Sequence, residues 1–306
     1  MTMETPPTEP NYDALGPEVM TEITDVVFDG DNTIWDWVTY AAHGYDAMAQ
    51  CIADESKRPE PEVAAAMKQF YTIAGTMEHR GLIQGLEAAG FFKSVPNFNR
   101  NELVDKVQNA FTEARRKYLH IYKGMEQVIQ TLHECGKRIS IITDAPKFQA
   151  TMRVRYFKLD PFIKGVYAMA DSDIQDLPEK FQKRQEAGLY DVDFPTFVTP
   201  VEKPDSDLET ILQMTLDQIA RQVLIIGDNP KKDIALAERY GCRAIYAVYG
   251  MPEKKYLDRL LRLSPEKVAR KNTAISEEPT TTSTNNRVVP ANEPYDILRY
   301  LRIATA

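Results

Sequence analysis

Hydrophobic and polar positions along the chain alternate between two textures. Short, apolar, β-rich runs occur at 23–28, 138–142, 165–169, 196–198, 223–226 and 243–248, most of them ending in polar turn residues. Runs of this length and composition predict buried strands. Between most of them the apolar positions recur at helical spacing, as in 147–158, 206–220 and 231–241. A helix holding Met125, Val128, Ile129 and Leu132 stops at Gly136, a suitable residue just past a helix end. Strands alternating with helices predict an α/β protein with a doubly wound parallel sheet, 243–248 being its last strand.

One stretch breaks the alternation. From residue 40 to about 122 the spacing is helical throughout: Ala41, Tyr45, Met48 and Ile52, then Val63, Ala66, Met67 and Phe70, then Leu103, Val107, Phe111, Ala114 and Tyr118. Asn99 followed by Glu102 has the spacing of a capping box. This segment reads as a second, smaller, all-helical domain inserted after the first strand. The plan is then a flexible leader over 1–20, a core over 21–37 and 123–270, and a helical module over 38–122. A Thr-rich linker over 271–288 is expected to be disordered. A terminal helix over 289–306 docks back through Tyr295, Ile297, Leu298, Tyr300 and Leu301. The acidic 170–190 stretch is expected as a solvated loop, with a lid or a partner site as the alternatives.

Composition narrows the classes. Hydrophobic residues are 43% and charged residues 27% of 306, enough for a substantial core. Lys plus Arg number 37 against 45 Asp plus Glu, a net charge of −8, which argues against a nucleic-acid binder. Cys51, Cys135 and Cys242 are odd in number and widely spaced, and the histidines form no HxxxH pair. Disulfide scaffolds and structural zinc are therefore disfavoured. No apolar run approaches the roughly 20 residues that cross a bilayer. The acidic, Pro-rich beginning lacks the basic and apolar regions of a signal peptide. A cytoplasmic protein with no membrane partner is the expectation.

Candidate chemistry gathers at or just past the ends of strand-like runs. Asp29-Gly30-Asp31-Asn32-Thr33 follows the first run and Thr143-Asp144 the second. Lys203 follows 196–198, and Gly227-Asp228 with Asp233 follows 223–226. Ligands of doubly wound sheets bind at the carboxyl ends of the strands. Two carboxylates two residues apart can share a metal and a substrate. A threonine hydroxyl and a lysine suit a phosphoryl group. Carboxylates, a lysine and a hydroxyl at one sheet edge are what Mg²⁺-assisted phosphoryl transfer needs. An EF-hand is excluded, because the positions that need Gly and Glu hold Ile34 and Tyr40. A receiver-like signalling domain would lack the helical insertion.

Across about 22–250 the sequence resembles the haloacid dehalogenase superfamily of phosphotransferases. The resemblance is carried by Val-Val-Phe-Asp-Gly-Asp-Asn-Thr (26–33), Ile-Ser-Ile-Ile-Thr-Asp (139–144), Glu-Lys-Pro-Asp (202–205) and Ile-Ile-Gly-Asp-Asn-Pro-Lys-Lys-Asp (225–233). It implies a Rossmann-like core and a helical cap. It also implies a Mg²⁺-dependent phosphatase acting on a small phosphorylated metabolite through an aspartyl-phosphate. Asp29 would be the nucleophile and Asp31 the general acid/base. Thr143, Asp144 and Lys203 would hold the phosphoryl group. Mg²⁺ would sit on Asp29, the backbone carbonyl of Asp31 and Asp228, with Asp233 in support. The superfamily's dehalogenases lack a carboxylate two residues after the nucleophile, so Asp31 disfavours C–Cl hydrolysis. Asn32 stands where the family often has Gly, and Asn tolerates left-handed backbone.

A phosphomutase with the same residues is the runner-up, and a non-catalytic binding or regulatory protein the third reading. In 75–81, His79 and Arg80 are candidates for a substrate-facing cap loop, a solvated turn being the alternative. Trp35 and Trp37 either contact substrate or pack at the hinge. His43 reads as a packing residue rather than a ligand.

Overall fold

The computed structural model describes residues 11–13, 22–171, 179, 182–183, 194–264 and 287–303. The leader apart from 11–13, most of 170–190 and most of the 271–288 linker lie outside the described residues.

Seven strands form one parallel sheet: β1 (Asp25–Phe28), β2 (Arg138–Pro146), β3 (Ile163–Met169), β4 (Thr196–Val198), β5 (Val223–Gly227), β6 (Arg243–Ala247) and β7 (Val288–Ala291). Their order is β4-β3-β2-β1-β5-β6-β7. β1 and β5 are buried at every position, the state that continuous apolar runs encode. The sequence reading ended the sheet at 243–248, and that is corrected here. β7 adds a further parallel strand beside β6, at the junction assigned to linker and docking helix. It is four residues long and contains Pro290, which only an edge strand tolerates, so its pattern is weak.

Register positions the chemistry. Phe28 is level with Ile141 of β2 and Ile226 of β5, so β1 and β5 end side by side while β2 runs on past them to Pro146. The Asp29 N–H donates to the Ile226 carbonyl at 2.8 Å, fixing the first residue beyond β1. From β2 the chain winds outward to one side, and from β5 to the other. Clefts open at such reversals.

Between β1 and β2 the chain forms α1 (Trp37–Ser56), α2 (Glu60–Ala74), α3 (Leu82–Ala88), α4 (Arg100–Tyr118) and α5 (Met125–Glu134). Asp36 caps α1 by accepting from the Thr39 N–H, and Asn99 caps α4 by accepting from the Glu102 N–H. α1 packs along α4, burying Tyr45 and Ile52 against the face that carries Leu103 and Val107. α6 (Lys147–Tyr156) follows β2. The helical spacing over 206–220 resolves into α7 (Leu208–Leu212) and α8 (Leu216–Gln222), interrupted where Gln213 turns left-handed at φ 57°. After β5 a π-type turn, Pro230–Ile234, leads into α9 (Ala235–Tyr240).

α10 (Lys254–Leu263) was not picked out from the sequence, and it packs on α1 and α2. Arg259 pairs with Asp46 at 2.6 Å, and Arg262 reaches Asp46 at 2.8 Å as well as Glu60. His43 stacks on Tyr118 at 3.6 Å beside the Arg259 guanidinium, a packing role as expected. α11 (Tyr295–Tyr300) docks on α5. Tyr12, inside the segment read as a leader, donates to Asp296 at 2.6 Å and so is anchored to α11. No described helix is long and apolar enough to cross a membrane.

Candidate active site

The chain leaves β1 in a tight turn: the Ile34 N–H returns to the Gly30 carbonyl at 2.9 Å, and the Asn32 N–H to that of Trp35 at 2.7 Å. Asn32 adopts φ 58°, the left-handed backbone anticipated for it, and its Oδ1 accepts from the Val38 N–H at 3.2 Å. Gly250 lies against this turn so closely that a Cβ would stand 1.7 Å from the Asn32 carbonyl oxygen. Asp29, Asp31, Thr143, Asp144, Lys203, Asp228 and Asp233 line one cavity. Asn229 and Lys232, which were not named from the sequence, complete its polar wall.

Lys203 is buried at the centre of this group. Its Nζ donates to Asp29 Oδ1 at 2.5 Å and to Asp233 Oδ1 at 2.6 Å. Asp233 Oδ2 accepts from the Asn229 N–H at 3.0 Å, so both oxygens of Asp233 are engaged. Gly227 permits this approach, since a Cβ there would lie 2.2 Å from the Asp233 carboxyl carbon. Asp144 Oδ1 accepts from the Lys203 N–H at 3.0 Å and Oδ2 from Lys232 Nζ at 2.5 Å. Its carboxylate therefore clamps the Lys203 loop at the cavity wall with both oxygens engaged. Thr143 Oγ1 accepts from the Ala145 N–H at 3.2 Å, which keeps its own O–H available as a donor.

Burial pushes Asp29 up to about 7, against the pull of Lys203 and with the repulsion of Asp233 and Asp31. Asp228 rises well above the usual carboxylate range for the same reason, burial beside Asp29 and Asp233. For Lys203 burial works downward, but Asp233, Asp29 and Asp144 outweigh it and hold the ammonium charged well beyond its ordinary range. Burial would raise Asp144 too, yet Lys203 and Lys232 bring it below its ordinary value.

These carboxylates fit a divalent cation. Asp29, Asp228 and Asp233 each bring an oxygen within 4.8 Å of the others. Asp228 Oδ2 is buried and has no hydrogen-bond partner among the described residues. Burial raises Asp29 and Asp228, an orphaned oxygen stands among the three, and Lys203 alone does not balance them; an all-oxygen donor set suits Mg²⁺. The side chain of Asp31 does not belong to this group.

Asp31 turns instead toward the helices. Its Oδ1 accepts from Trp35 Nε1 at 2.6 Å and from Arg153 Nη1 at 2.8 Å. Burial raises Asp31 to about 6, with Arg153 opposing. Arg153 on α6 also bonds through Nη2 to Tyr40 and to Glu78 Oε1. Trp37 Nε1 donates to the same Glu78 oxygen at 3.0 Å. Trp35 and Trp37 are both fully buried, so each packs and each pins a carboxylate. In the 75–81 loop, His79 is turned inward: its Nδ1 accepts from the Gly81 N–H, and its ring meets Phe70 edge-on. Arg80 stacks over Phe148 of α6 at 4.3 Å. Sequence reasoning named that loop but passed over Glu78. It missed Arg153 as well, although an arginine beside Ala150, Thr151 and Val154 on the buried stripe of α6 was a readable signal.

The sequence profile of haloacid dehalogenase-like hydrolases matches residues 26–183, and a HAD-hydrolase-like profile matches residues 201–272. No curated protein sequence matches the chain. Among solved structures, 2-haloacid dehalogenase of Pseudomonas syringae is 14% identical, covering 92% of this chain and 98% of its own, with a TM-score of 0.52. The magnesium-bound HAD-hydrolase YfnB of Bacillus subtilis is 16% identical, covering 92% and 100%, at 0.49. A HAD phosphatase of Thermococcus onnurineus is 13% identical, covering 91% and 98%, at 0.48. At such identities the first of these likenesses speaks for the fold alone. The family rests on the first profile, which runs from β1 through α1–α4 to beyond β3, over more than half of the chain: the protein belongs to the haloacid dehalogenase-like hydrolases.

Proposed function

We propose that this protein is a Mg²⁺-dependent phosphomonoester hydrolase that passes the phosphoryl group through Asp29. The observation that carries the reading is the division of labour between Asp29 and Asp31. Asp29 faces Lys203 and the carboxylate group, while Asp31, two residues on, is held apart by Trp35 and Arg153. A dehalogenation needs no such second carboxylate, whereas an ester oxygen needs a proton as it leaves.

Asp29, Asp228 and the backbone carbonyl of Asp31 would hold Mg²⁺, with Asp233 in support. When bound, the ion offsets the repulsion between a carboxylate and a phosphate dianion. Lys203 and the Thr143 O–H would orient the phosphoryl oxygens, so that Asp29 attacks in line and the P–O bond of the ester breaks. Asp31 would give its proton to the departing oxygen. It would then take a proton from the water that attacks phosphorus, breaking the Asp29–phosphate bond and returning the acid form. Helices α1–α4, whose loop brings Glu78 and Arg80 against α6, would serve as a cap. The substrate would be a small phosphorylated metabolite whose phosphoryl group enters this polar, carboxylate-lined cavity.

The test is release of phosphate from a simple aryl phosphate, with Mg²⁺ and with a chelator, by the wild type and Asp29→Asn. Turnover that needs both the metal and Asp29 is expected. Near-normal turnover in folded Asp29→Asn would refute the covalent route.

A further inference from the structure

Resting on this reading, we propose that Arg153 is a positioning residue that links the 75–81 loop to the proton-carrying oxygen of Asp31. Arg153 is 3% exposed, and its guanidinium bridges two carboxylates from segments far apart in the chain, Asp31 after β1 and Glu78 between α2 and α3. Arginine can do this because its planar fork offers donors in fixed directions, which the point charge of a lysine does not.

The bridge selects one oxygen. Asp31 Oδ1 already accepts from Trp35 and Arg153, and no hydrogen bond from the described residues reaches Oδ2. Asp31 lines the cavity, so Oδ2 is the oxygen left to exchange a proton with a leaving group or water. On the other side, Arg153, together with Trp37, holds Glu78 Oε1, while Glu78 Oε2 is buried with no partner among the described residues. Oε1 alone therefore fixes that carboxylate. Withdrawal of the 75–81 loop would take Glu78 from Arg153 and free the guanidinium to swing away from Asp31. The acid is thus fully oriented only when the loop is seated, which links proton delivery to closure over the substrate.

Leaving-group dependence separates this role from a merely structural one. A phenolate needs little protonation to leave, whereas an alkoxide needs a full proton. The measurement is kcat/KM for p-nitrophenyl phosphate and for n-propyl phosphate, in the wild type, Arg153→Lys, Arg153→Met and Glu78→Gln. kcat/KM reports phosphoenzyme formation and omits the hydrolysis that both esters share. The expected result is a loss of about tenfold or less for the aryl ester and roughly a hundredfold or more for the alkyl ester in Arg153→Met. Arg153→Lys should fall between it and the wild type, and Glu78→Gln should shift the ratio the same way. Equal losses on both esters would overturn the proposal.

Thermal unfolding supplies a readout independent of turnover, and is decisive where a variant is inactive or the wild type hydrolyses neither ester. That last outcome would refute the phosphatase reading by itself. If Arg153 links the two carboxylates, the Tm changes of Glu78→Gln and Asp31→Asn are non-additive with Arg153 present and additive in Arg153→Met. Additivity in both backgrounds would remove the link.

Discussion

Two buried cations each bridge two buried carboxylates in this protein, and they do so to different ends. Lys203 joins Asp29 to Asp233, and Arg153 joins Asp31 to Glu78. Around Lys203 the carboxylates outnumber the cation, Asp228 has an orphaned oxygen, and burial lifts Asp29 and Asp228. Around Arg153 the neutral donors Trp35 and Trp37 serve the two carboxylates, and the Tyr40 hydroxyl accepts from the guanidinium. The first cluster is built short of positive charge at its open cavity. In the second, hydrogen bonds among its own members pin one oxygen of each carboxylate, Asp31 Oδ1 and Glu78 Oε1. A cluster with carboxylates in excess at an open cavity is suited to take a cation and a phosphate, and one whose carboxylates are each pinned through one oxygen is suited to hold a side chain still.

The sharpest way to break the comparison is to remove each cation. Lys203→Met strands Asp29 and Asp233, and should lower turnover by at least about three orders of magnitude while costing roughly 3–5 kcal/mol in metal-free protein. Added Mg²⁺ should recover much of that stability. Arg153→Met should cost a similar amount of stability, with no recovery on adding Mg²⁺. Unfolding curves with and without the metal check both. Equal rescue of the two variants would erase the distinction.

Asp31→Asn comes next, at about 10²–10⁴-fold in turnover for an alkyl ester. Because its side chain lies outside the carboxylate group, Mg²⁺ affinity should change little. Isothermal titration of the variant is the check, and a loss as large as that of Asp29→Asn would make Asp31 a side-chain ligand.

Proton linkage gives a smaller effect. Burial raises Asp29 from 3.8 to about 7, so between those values the folded protein keeps a proton that the unfolded chain has released. Without metal, this contribution to stability is full below about pH 4 and is lost as pH rises toward 7. Mg²⁺ competes with that proton, so its stabilisation should grow over the same range, reaching about 2.7 kcal/mol at a hundredfold excess over Kd. Tm measured at several pH values, with and without Mg²⁺, checks the slope. A Mg²⁺ effect that shrinks with rising pH would contradict it.

The smallest expected effect lies far from both clusters. Arg259 pairs with Asp46 where α10 meets α1, at a partly exposed surface. Arg259→Ala should cost about 1 kcal/mol or less and leave kcat/KM unchanged. A change in kcat/KM would show that α10 takes part in closure.

Much of the first cluster was legible in the sequence, and little of the second. Asp29 and Asp228 stand just beyond the ends of β1 and β5, and Thr143 just past the apolar run within β2, where short-range pattern reveals both the run and the residue after it. Lys203 and Asp233 were found by their place in such motifs. Glu78 and Arg153 have no such punctuation. They meet across 75 residues of sequence, and what joins them is tertiary packing of a loop on a helix. The same limit applies to the sheet: β1 and β5 announced themselves by continuous burial, while β7, a short edge strand containing Pro290, did not. α10 was passed over because no strand-end motif marks it and it packs on helices from a distant part of the chain.

Rapid-quench labelling tests the central claim most directly. The wild type, mixed with a ³²P-labelled aryl phosphate and Mg²⁺ and quenched in acid, should carry acid-stable, hydroxylamine-labile label on Asp29. Asp31→Asn should form and lose that label more slowly, and Asp29→Asn should carry none. Label on another residue, or full turnover with no phosphoenzyme at any time point, would contradict the assignment of Asp29 as nucleophile and of Asp31 as its proton carrier.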